Sequence, residues 1–150
     1  MTSYFSSPER FKQLEAEAKK WVGTPFVAKA MVCGAGVDCV HLVAGIYIAC
    51  GVFKKFMPGQ YALDEGSHLK QSKVSAWFAS QPNFTKVTDL QPGDAALMNL
   101  ALVGHHMALI LPGNQAIHAF PNRKVMVADL RQSFYRKAIV EIYRPTGGVA

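Results

Sequence analysis

The chain has 150 residues, of which half are hydrophobic and 17% are charged. This composition excludes an intrinsically disordered chain, and the length favours one domain over residues 1–150 with a single core. Sixteen basic against ten acidic residues give a net charge of +6 at pH 7. Because the basic residues are scattered and are not interleaved with aromatic residues, they indicate a surface suited to anionic surroundings and not a dedicated nucleic-acid site.

No segment of the sequence predicts export or a membrane span. The first twenty residues become charged and amphipathic, with no apolar run ahead of a cleavage site, so no signal peptide is expected. The longest nearly uncharged runs, 30–53 and 95–115, are interrupted by Gly, Asp, His or Pro. We therefore expect synthesis in the cytoplasm. If the target lies outside the cell, delivery requires lysis, a particle or a dedicated secretion machine.

Two helices are predicted in the first third of the chain. Helical spacing of apolar residues begins near Pro8 and continues through Trp21, where Gly-Thr-Pro ends it. A loop rich in small residues, 32–37, follows. Asp38 is placed to cap a second helix that runs from Cys39 to about Cys50. This helix is apolar on nearly all sides, which predicts that it lies at the centre of the domain.

The second half of the chain has the pattern of strands separated by turns. The predicted elements are a short helix at 74–79 and strands near 84–87, 95–100, 106–111, 116–119, 124–127 and 139–143. Helices thus come first and strands last. This segregation predicts an α+β domain with an antiparallel sheet packed on the buried helix.

The three cysteines, Cys33, Cys39 and Cys50, are an odd number, and none belongs to a Cys-x-x-Cys pair. A disulfide framework and a cysteine-rich zinc site are therefore not expected. Cys39 begins the second helix, where unpaired backbone N–H groups and the positive end of the helix dipole favour a thiolate of lowered pKa. The same groups can donate to an oxyanion, which suits a nucleophile. The alternative is a small buried hydrophobic residue.

Histidines are concentrated where strands are expected, at His105, His106 and His118. Two of them could supply a base and the residue that orients it. Because side chains alternate between the faces of a strand, only one of His105 and His106 can point at Cys39. If the loop after this strand has an even number of residues, His118 lies on the same face as His105. If the number is odd, His118 lies on the same face as His106. The residues alone leave the choice open.

Five short motifs follow one another along the chain. They are Trp21-Val22-Gly23-Thr24-Pro25-Phe26, Gly36-Val37-Asp38-Cys39-Val40-His41-Leu42-Val43, Leu90-Gln91-Pro92-Gly93-Asp94, His106-Met107-Ala108-Leu109-Ile110 and Ile117-His118-Ala119. In this order and spacing they resemble the motifs of NlpC-type cell-wall cysteine peptidases, in particular the variant found among phage tail and prophage peptidases. The resemblance covers roughly residues 15–145.

This resemblance implies a papain-like (NlpC-type) α+β domain, in which amino-terminal helices and a buried Cys-bearing helix pack on a carboxy-terminal antiparallel sheet. It implies Cys39 as the nucleophile, His106 as the base and His118 as the residue that orients the base. The implied reaction hydrolyses an amide of peptidoglycan stem peptides, typically between D-glutamate and diaminopimelate, through a thioester acyl-enzyme. No cofactor or metal is expected. The expected site of action is the cell wall or periplasm, with phage-tail or secretion components as further partners.

Two motifs depart from the common family pattern. Val40 and His41 stand where many members have Ser and Gly, and Phe26 stands where Tyr is often found. The predicted substrate-binding residues are Phe26, Asp38, Val40, His41, Tyr61 and His105. Val40 and His41 suggest one rival function, a thioester acyltransferase or amidase on another acyl substrate. A second rival, of a different class, is a non-catalytic structural or binding module of a phage tail or similar particle. A metal hydrolase is disfavoured because the spacing of its three ligands would match no known zinc motif.

The remaining polar and thiol groups receive structural interpretations. Asp94 is expected to bond within the Gln-Pro-Gly-Asp turn, and Cys50 is expected in the core. Cys33 lies six residues before Cys39, so a regulatory disulfide between the two is a further hypothesis.

Overall fold

A computed structural model describes residues 2–54, 71–100 and 104–148 of the chain. A single turn of 3-10 helix at Tyr4–Ser6 precedes helix α1 (Pro8–Trp21). The Ser7 hydroxyl accepts a hydrogen bond from the backbone N–H of Arg10, and proline at the first helical position needs no such partner. The predicted bounds of this helix are confirmed.

Helix α2 (Cys39–Ala49) is the central element, as predicted. Asp38 caps its amino end by accepting a hydrogen bond from the backbone N–H of His41 at 2.8 Å. At its carboxy end the chain turns through Gly51, whose φ of 84° is easily reached only without a side chain. Most residues of the helix are buried, since apolar side chains occupy nearly every side of it.

A small hairpin lies between the two helices, where the sequence predicts only a loop. Strands β1 (Met31–Val32) and β2 (Gly36–Val37) pair antiparallel. Phe26 also bridges to Val37. The two strands are two residues long, too short for an alternating pattern to be read from the sequence, so backbone pairing alone reveals them.

The second half of the chain forms a six-stranded sheet in the order β3-β8-β4-β5-β6-β7, in which all neighbours are antiparallel. Its strands are β3 (Phe84–Val87), β4 (Ala95–Leu100), β5 (Gly104–Leu111), β6 (Gln115–His118), β7 (Met126–Asp129) and β8 (Ile139–Pro145). Helix α3 (Gln71–Ala79) precedes β3, and helix α4 (Ser133–Ala138), which the sequence did not predict, precedes β8.

The two faces of the sheet have separate apolar clusters. Met107 and Leu109 of β5 pack in a large cluster with α1, α2 and α3. Ala108 and Ile110 belong to a second cluster on the opposite face, against which Tyr135 of α4 packs. The predicted α+β arrangement, with the Cys-bearing helix packed on an antiparallel sheet, is confirmed.

A buried ion pair fixes the turn before β4 to the end of β8. The Arg144 guanidinium donates two hydrogen bonds to the Asp94 carboxylate, at 3.0 and 2.9 Å, and both side chains are buried. Asp94 also accepts from the backbone N–H of Gln91. The expected structural role of Asp94 is confirmed. None of the helices within the described ranges has the length and apolar composition needed to cross a membrane.

Candidate active site

Cys39 is buried at the amino end of α2, with 4% of its surface exposed. Burial and, to a smaller extent, the negative charge of Asp38 raise the pKa of its thiol to about 12. The pKa is lowered, but by less, by hydrogen bonds from the backbone N–H groups of Met107, Val40 and Cys39 itself. The expectation that the helix start lowers this pKa is therefore wrong for the resting protein. Loss of hydration destabilises the thiolate more than the neighbouring N–H groups stabilise it.

His106 and His118 are in direct contact. His106 Nε2 lies 3.2 Å from His118 Nδ1, and both rings are buried. Burial, and then the neighbouring His118, lowers the pKa of His106 well below its ordinary value, while burial lowers that of His118 to about 4. Both rings are therefore neutral near pH 7, and a neutral imidazole can accept a proton.

The loop between β5 and β6 decides which histidine His118 accompanies. Leu111 pairs with Gln115, so three residues form the loop. An odd-numbered loop puts His118 on the face of His106, and the contact between the two rings confirms this rule. The Phe120 ring, which no motif of the sequence marks as a site residue, packs on both imidazoles at centroid distances of 4.6 and 4.3 Å. Its position two residues after His118 is the signal that places it on the same face.

The sulfur of Cys39 reaches the sheet beside the candidate base. The thiol meets the backbone N–H of Met107, which lowers its pKa through a hydrogen bond. Met107 directly follows His106 in β5. However, the imidazole pair contacts Phe120 and Tyr135, which pack with the cluster on the α4 face, whereas Cys39 belongs to the cluster on the α2 face. The structure thus joins the two histidines ring to ring, and brings Cys39 to the strand backbone next to His106.

Asp38 and His41 form a second polar pair beside the thiol. The two oxygens of the fully buried Asp38 carboxylate are bonded within the protein. Oδ1 lies 2.7 Å from His41 Nδ1 and accepts from the His41 backbone N–H, and Oδ2 accepts from the backbone N–H of Lys29 at 2.7 Å. These bonds hold the loop at Lys29 against the first turn of α2. Asp38 therefore positions the segment that carries Cys39.

The other predicted substrate-binding residues lie in different surroundings. Val40 is buried and lines a small apolar crevice with Trp77 and Met107. Phe26 and His105 are half-buried, and His105 lies next to His106 at the start of β5. Tyr61 lies outside the described residues.

All three cysteines are free. Cys33 is exposed and donates a hydrogen bond to the Lys20 carbonyl, whereas Cys39 and Cys50 are buried. Cys50 lies in the core, as predicted. Within the described ranges, no group of three or more His, Cys, Asp or Glu side chains is arranged to hold a metal ion.

Comparison with known proteins gives one family. The sequence model of the NlpC/P60 family matches residues 23–144. No curated protein sequence matches the chain. Among solved structures, the NlpC/p60 domain of the peptidoglycan hydrolase SagA is similar, with a TM-score of 0.55 and 20% identity over 88% of this chain and 96% of that one.

Two further structures show the same fold. An NLP/P60 family protein from Staphylococcus aureus, described as similar to a lipoprotein, has a TM-score of 0.66 and 17% identity over 99% of this chain but only 45% of its own. RipD from Mycobacterium tuberculosis, described as a non-catalytic NlpC/p60 domain protein adapted to peptidoglycan binding, has a TM-score of 0.57 and 15% identity over 94% of this chain and all of its own. With a family match that spans most of its length, the chain belongs to the NlpC/P60 family, whose members are mostly cell-wall cysteine hydrolases and include non-catalytic domains.

Proposed function

We propose that the chain is a cysteine hydrolase that cleaves an amide bond in peptidoglycan stem peptides. The observation that supports this best is the neutral His106–His118 pair, because His106 directly precedes Met107 in β5 and the Met107 backbone N–H meets the Cys39 thiol. A nucleophile, a base and a residue that orients the base are the three parts that such chemistry needs. We propose that the scissile bond is the amide between D-glutamate and diaminopimelate. We also propose that the protein works with a phage tail or a secretion machine, the setting that the motif variant favours.

The hydrogen bond between the imidazoles indicates which nitrogen of His106 would act. If the Nε2–H of His106 donates to His118 Nδ1, then His106 Nδ1 carries the lone pair and can accept the thiol proton. After that transfer His106 is positively charged, and the His118 Nδ1 lone pair stabilises it. His118 then carries its own proton on Nε2. Its role would be to hold the base in one tautomer and orientation.

In the proposed reaction, Cys39 is first acylated and the thioester is then hydrolysed. Cys39 transfers its proton to His106 as the sulfur forms a bond to the amide carbon, and the C–N bond breaks as His106 returns the proton to the leaving amine. Water then attacks the thioester, again with His106 as base, and releases the acid and the free thiol. Because the thiol is protonated at rest, the proton must move during attack, as in serine hydrolases.

Digestion of defined muropeptides tests this proposal. Wild type is expected to release two peptide fragments at the glutamyl bond, detected by mass spectrometry, and Cys39→Ala is expected to release none. Cys50→Ala removes another buried thiol whose pKa is also raised to about 12, so it is the matched control and should retain activity. Cleavage by Cys39→Ala at the wild-type rate would disprove the assignment.

A non-catalytic peptidoglycan-binding domain is the second candidate. The similarity to RipD and the raised pKa of the buried Cys39 thiol favour it. Iodoacetamide separates the two functions, because burial raises the pKa of both Cys39 and Cys50, so that neither thiol reacts readily at pH 7 unless a base activates it. Faster alkylation of Cys39 at pH 7, lost in His106→Ala, would support the hydrolase. Equal and slow alkylation of both thiols would support the binding domain.

A further inference from the structure

The imidazole pair of the candidate site lies under an aromatic cover, which we define as the side chains of Phe120 and Tyr135. The Phe120 ring lies 4.6 Å from that of His106 and 4.3 Å from that of His118, measured between centroids. The Tyr135 ring, from α4, lies 5.9 Å from that of His118. Each imidazole residue is only 2% exposed, so the cover helps to exclude water from both rings.

Apolar side chains also flank the pair along the sheet. Residues directly opposite each other on neighbouring strands share a face. His106 of β5 lies opposite Met98 of β4, and His118 of β6 lies opposite Met126 of β7. Neither methionine can take up or release a proton. The two imidazoles therefore have apolar neighbours on both strand sides, and they make a polar contact with each other.

Few titratable groups of the described residues face the pair. Tyr135 faces it from α4. His105 precedes His106 in β5, and Cys39 of α2 meets the strand backbone just beyond it. Burial is the first cause that lowers the pKa of both imidazoles, followed for His106 by the neighbouring His118. No carboxylate contributes to either shift, so the exclusion of water decides the protonation state of the pair.

The outer nitrogen of His118 is independent evidence that these surroundings are apolar. His118 Nε2 is buried and has no hydrogen-bond partner among the residues that the structure describes. Buried polar atoms are normally paired, because an unpaired one costs free energy. His118 instead has the rings of Phe120 and Tyr135 beside it. A positive charge on His118 would therefore find no polar group there to stabilise it.

Backbone hydrogen bonds fix the position of Phe120. Its carbonyl accepts from the Arg123 N–H at 3.1 Å, which closes a turn. The Arg123 carbonyl accepts from the Phe26 N–H at 3.0 Å, and the Val125 N–H donates to the Thr24 carbonyl at 2.8 Å. The first of the five sequence motifs thus anchors the turn that follows Phe120.

We propose that Phe120 is a positioning residue: its ring keeps the His106 imidazole turned towards His118 and keeps water away from both. The inference rests on the proposed function, in which His106 is the base. A dry pair suits that reaction, because His106 stays free to accept a proton in mild acid and returns the proton readily to the leaving amine. Tyr135 completes the cover from α4.

NMR titration of the histidine ring signals tests this inference without requiring hydrolysis. Because the two imidazoles share a hydrogen bond, the first proton is taken up by the pair. Wild type is expected to protonate near pH 4, since the pKa of His118 is about 4. Phe120→Ala admits water, so its midpoint should rise by about one pH unit, or about tenfold in proton affinity. Phe120→Leu keeps the position apolar and should keep the low midpoint.

The matched control is Phe134→Ala, which removes the same kind of ring from the residue beside Tyr135. Phe134 is 58% exposed, and its ring packs on that of Tyr135 at a centroid distance of 4.8 Å. This variant should keep the wild-type midpoint. Tyr135→Ala opens the cover from α4 and should raise the midpoint, so it tests the inference if Phe120→Ala does not fold.

The pH dependence of muropeptide hydrolysis is a second measurement. In Phe120→Ala the acid limb of kcat should move to higher pH by the same amount, with KM unchanged, because Phe120 acts through the base. A role in stability alone would lower the melting temperature without moving the titration midpoint or the acid limb.

Equal midpoints in wild type and folded Phe120→Ala would overturn the inference, as would equal midpoints in wild type and Tyr135→Ala if only the latter folds. An equal rise in Phe134→Ala would also overturn it, because general loosening of the domain would then explain the shift. A raised midpoint in Phe120→Ala, in a protein whose wild type cleaves no muropeptide, would support the effect of the cover on the pair while disproving the proposed hydrolysis.

Discussion

The buried histidine pair predicts that the domain loses stability in mild acid. The pKa of His118 is lowered from 6.5 to about 4 by burial, so the unfolded chain binds a proton between these values while the folded chain does not. Stability is therefore fully present above pH 6.5 and decreases as the pH falls. The linkage relation gives a loss of about 2 kcal/mol between pH 7 and pH 5, and about 3 kcal/mol by pH 4, from this residue alone. His106, whose pKa is also lowered by burial, adds a loss of the same sign.

Urea unfolding of wild type and His118→Asn at pH 7 and pH 5 measures this loss. The variant should lose less stability between the two pH values than wild type, by about 2 kcal/mol, because asparagine does not titrate. Phe120→Leu is the matched control: it loosens the packing on the same imidazoles but removes no titratable group. It should lower stability at both pH values. If His118→Asn showed the full wild-type loss, His118 would not be buried in its neutral form and the reasoning would be refuted.

Three substitutions test individual contacts of the structure. Asp38→Asn should lower the pKa of Cys39, because the Asp38 charge raises it, and should shift the pH profile of iodoacetamide alkylation to lower pH; no shift would contradict this. Arg144→Met should cost about 3–5 kcal/mol in urea unfolding, since it leaves a buried carboxylate unpaired, and a loss under 1 kcal/mol would contradict that. Gly93→Ala should destabilise far more than Gly113→Ala. Both glycines have positive φ, but only at Gly93 would a Cβ meet the ring of a buried phenylalanine. Equal melting temperatures would contradict the difference.

Local chemistry allowed much of this fold to be read from the sequence. The helix that begins at Cys39 was predictable because Asp38 is a strong cap and the residues after it are apolar, and both signals act within one turn. The pairing of His118 with His106 followed from strand alternation once the loop length was known. The hairpin at 31–37 and helix α4 are too short to leave a periodic pattern, so they were not predicted.

The sequence by itself determined the class of the domain, the order of its elements and which side chains are candidates for catalysis, because these depend on caps, periodicity and spacing along the chain. The tertiary structure decided the state of the thiol. Helix position predicts a lowered pKa for Cys39, yet burial against β5 and the charge of Asp38 raise it to about 12. It also joined Phe26 and Arg123, which lie far apart in the chain, through a backbone hydrogen bond. Desolvation and long-range contacts depend on what packs around a residue, and no local pattern carries that information.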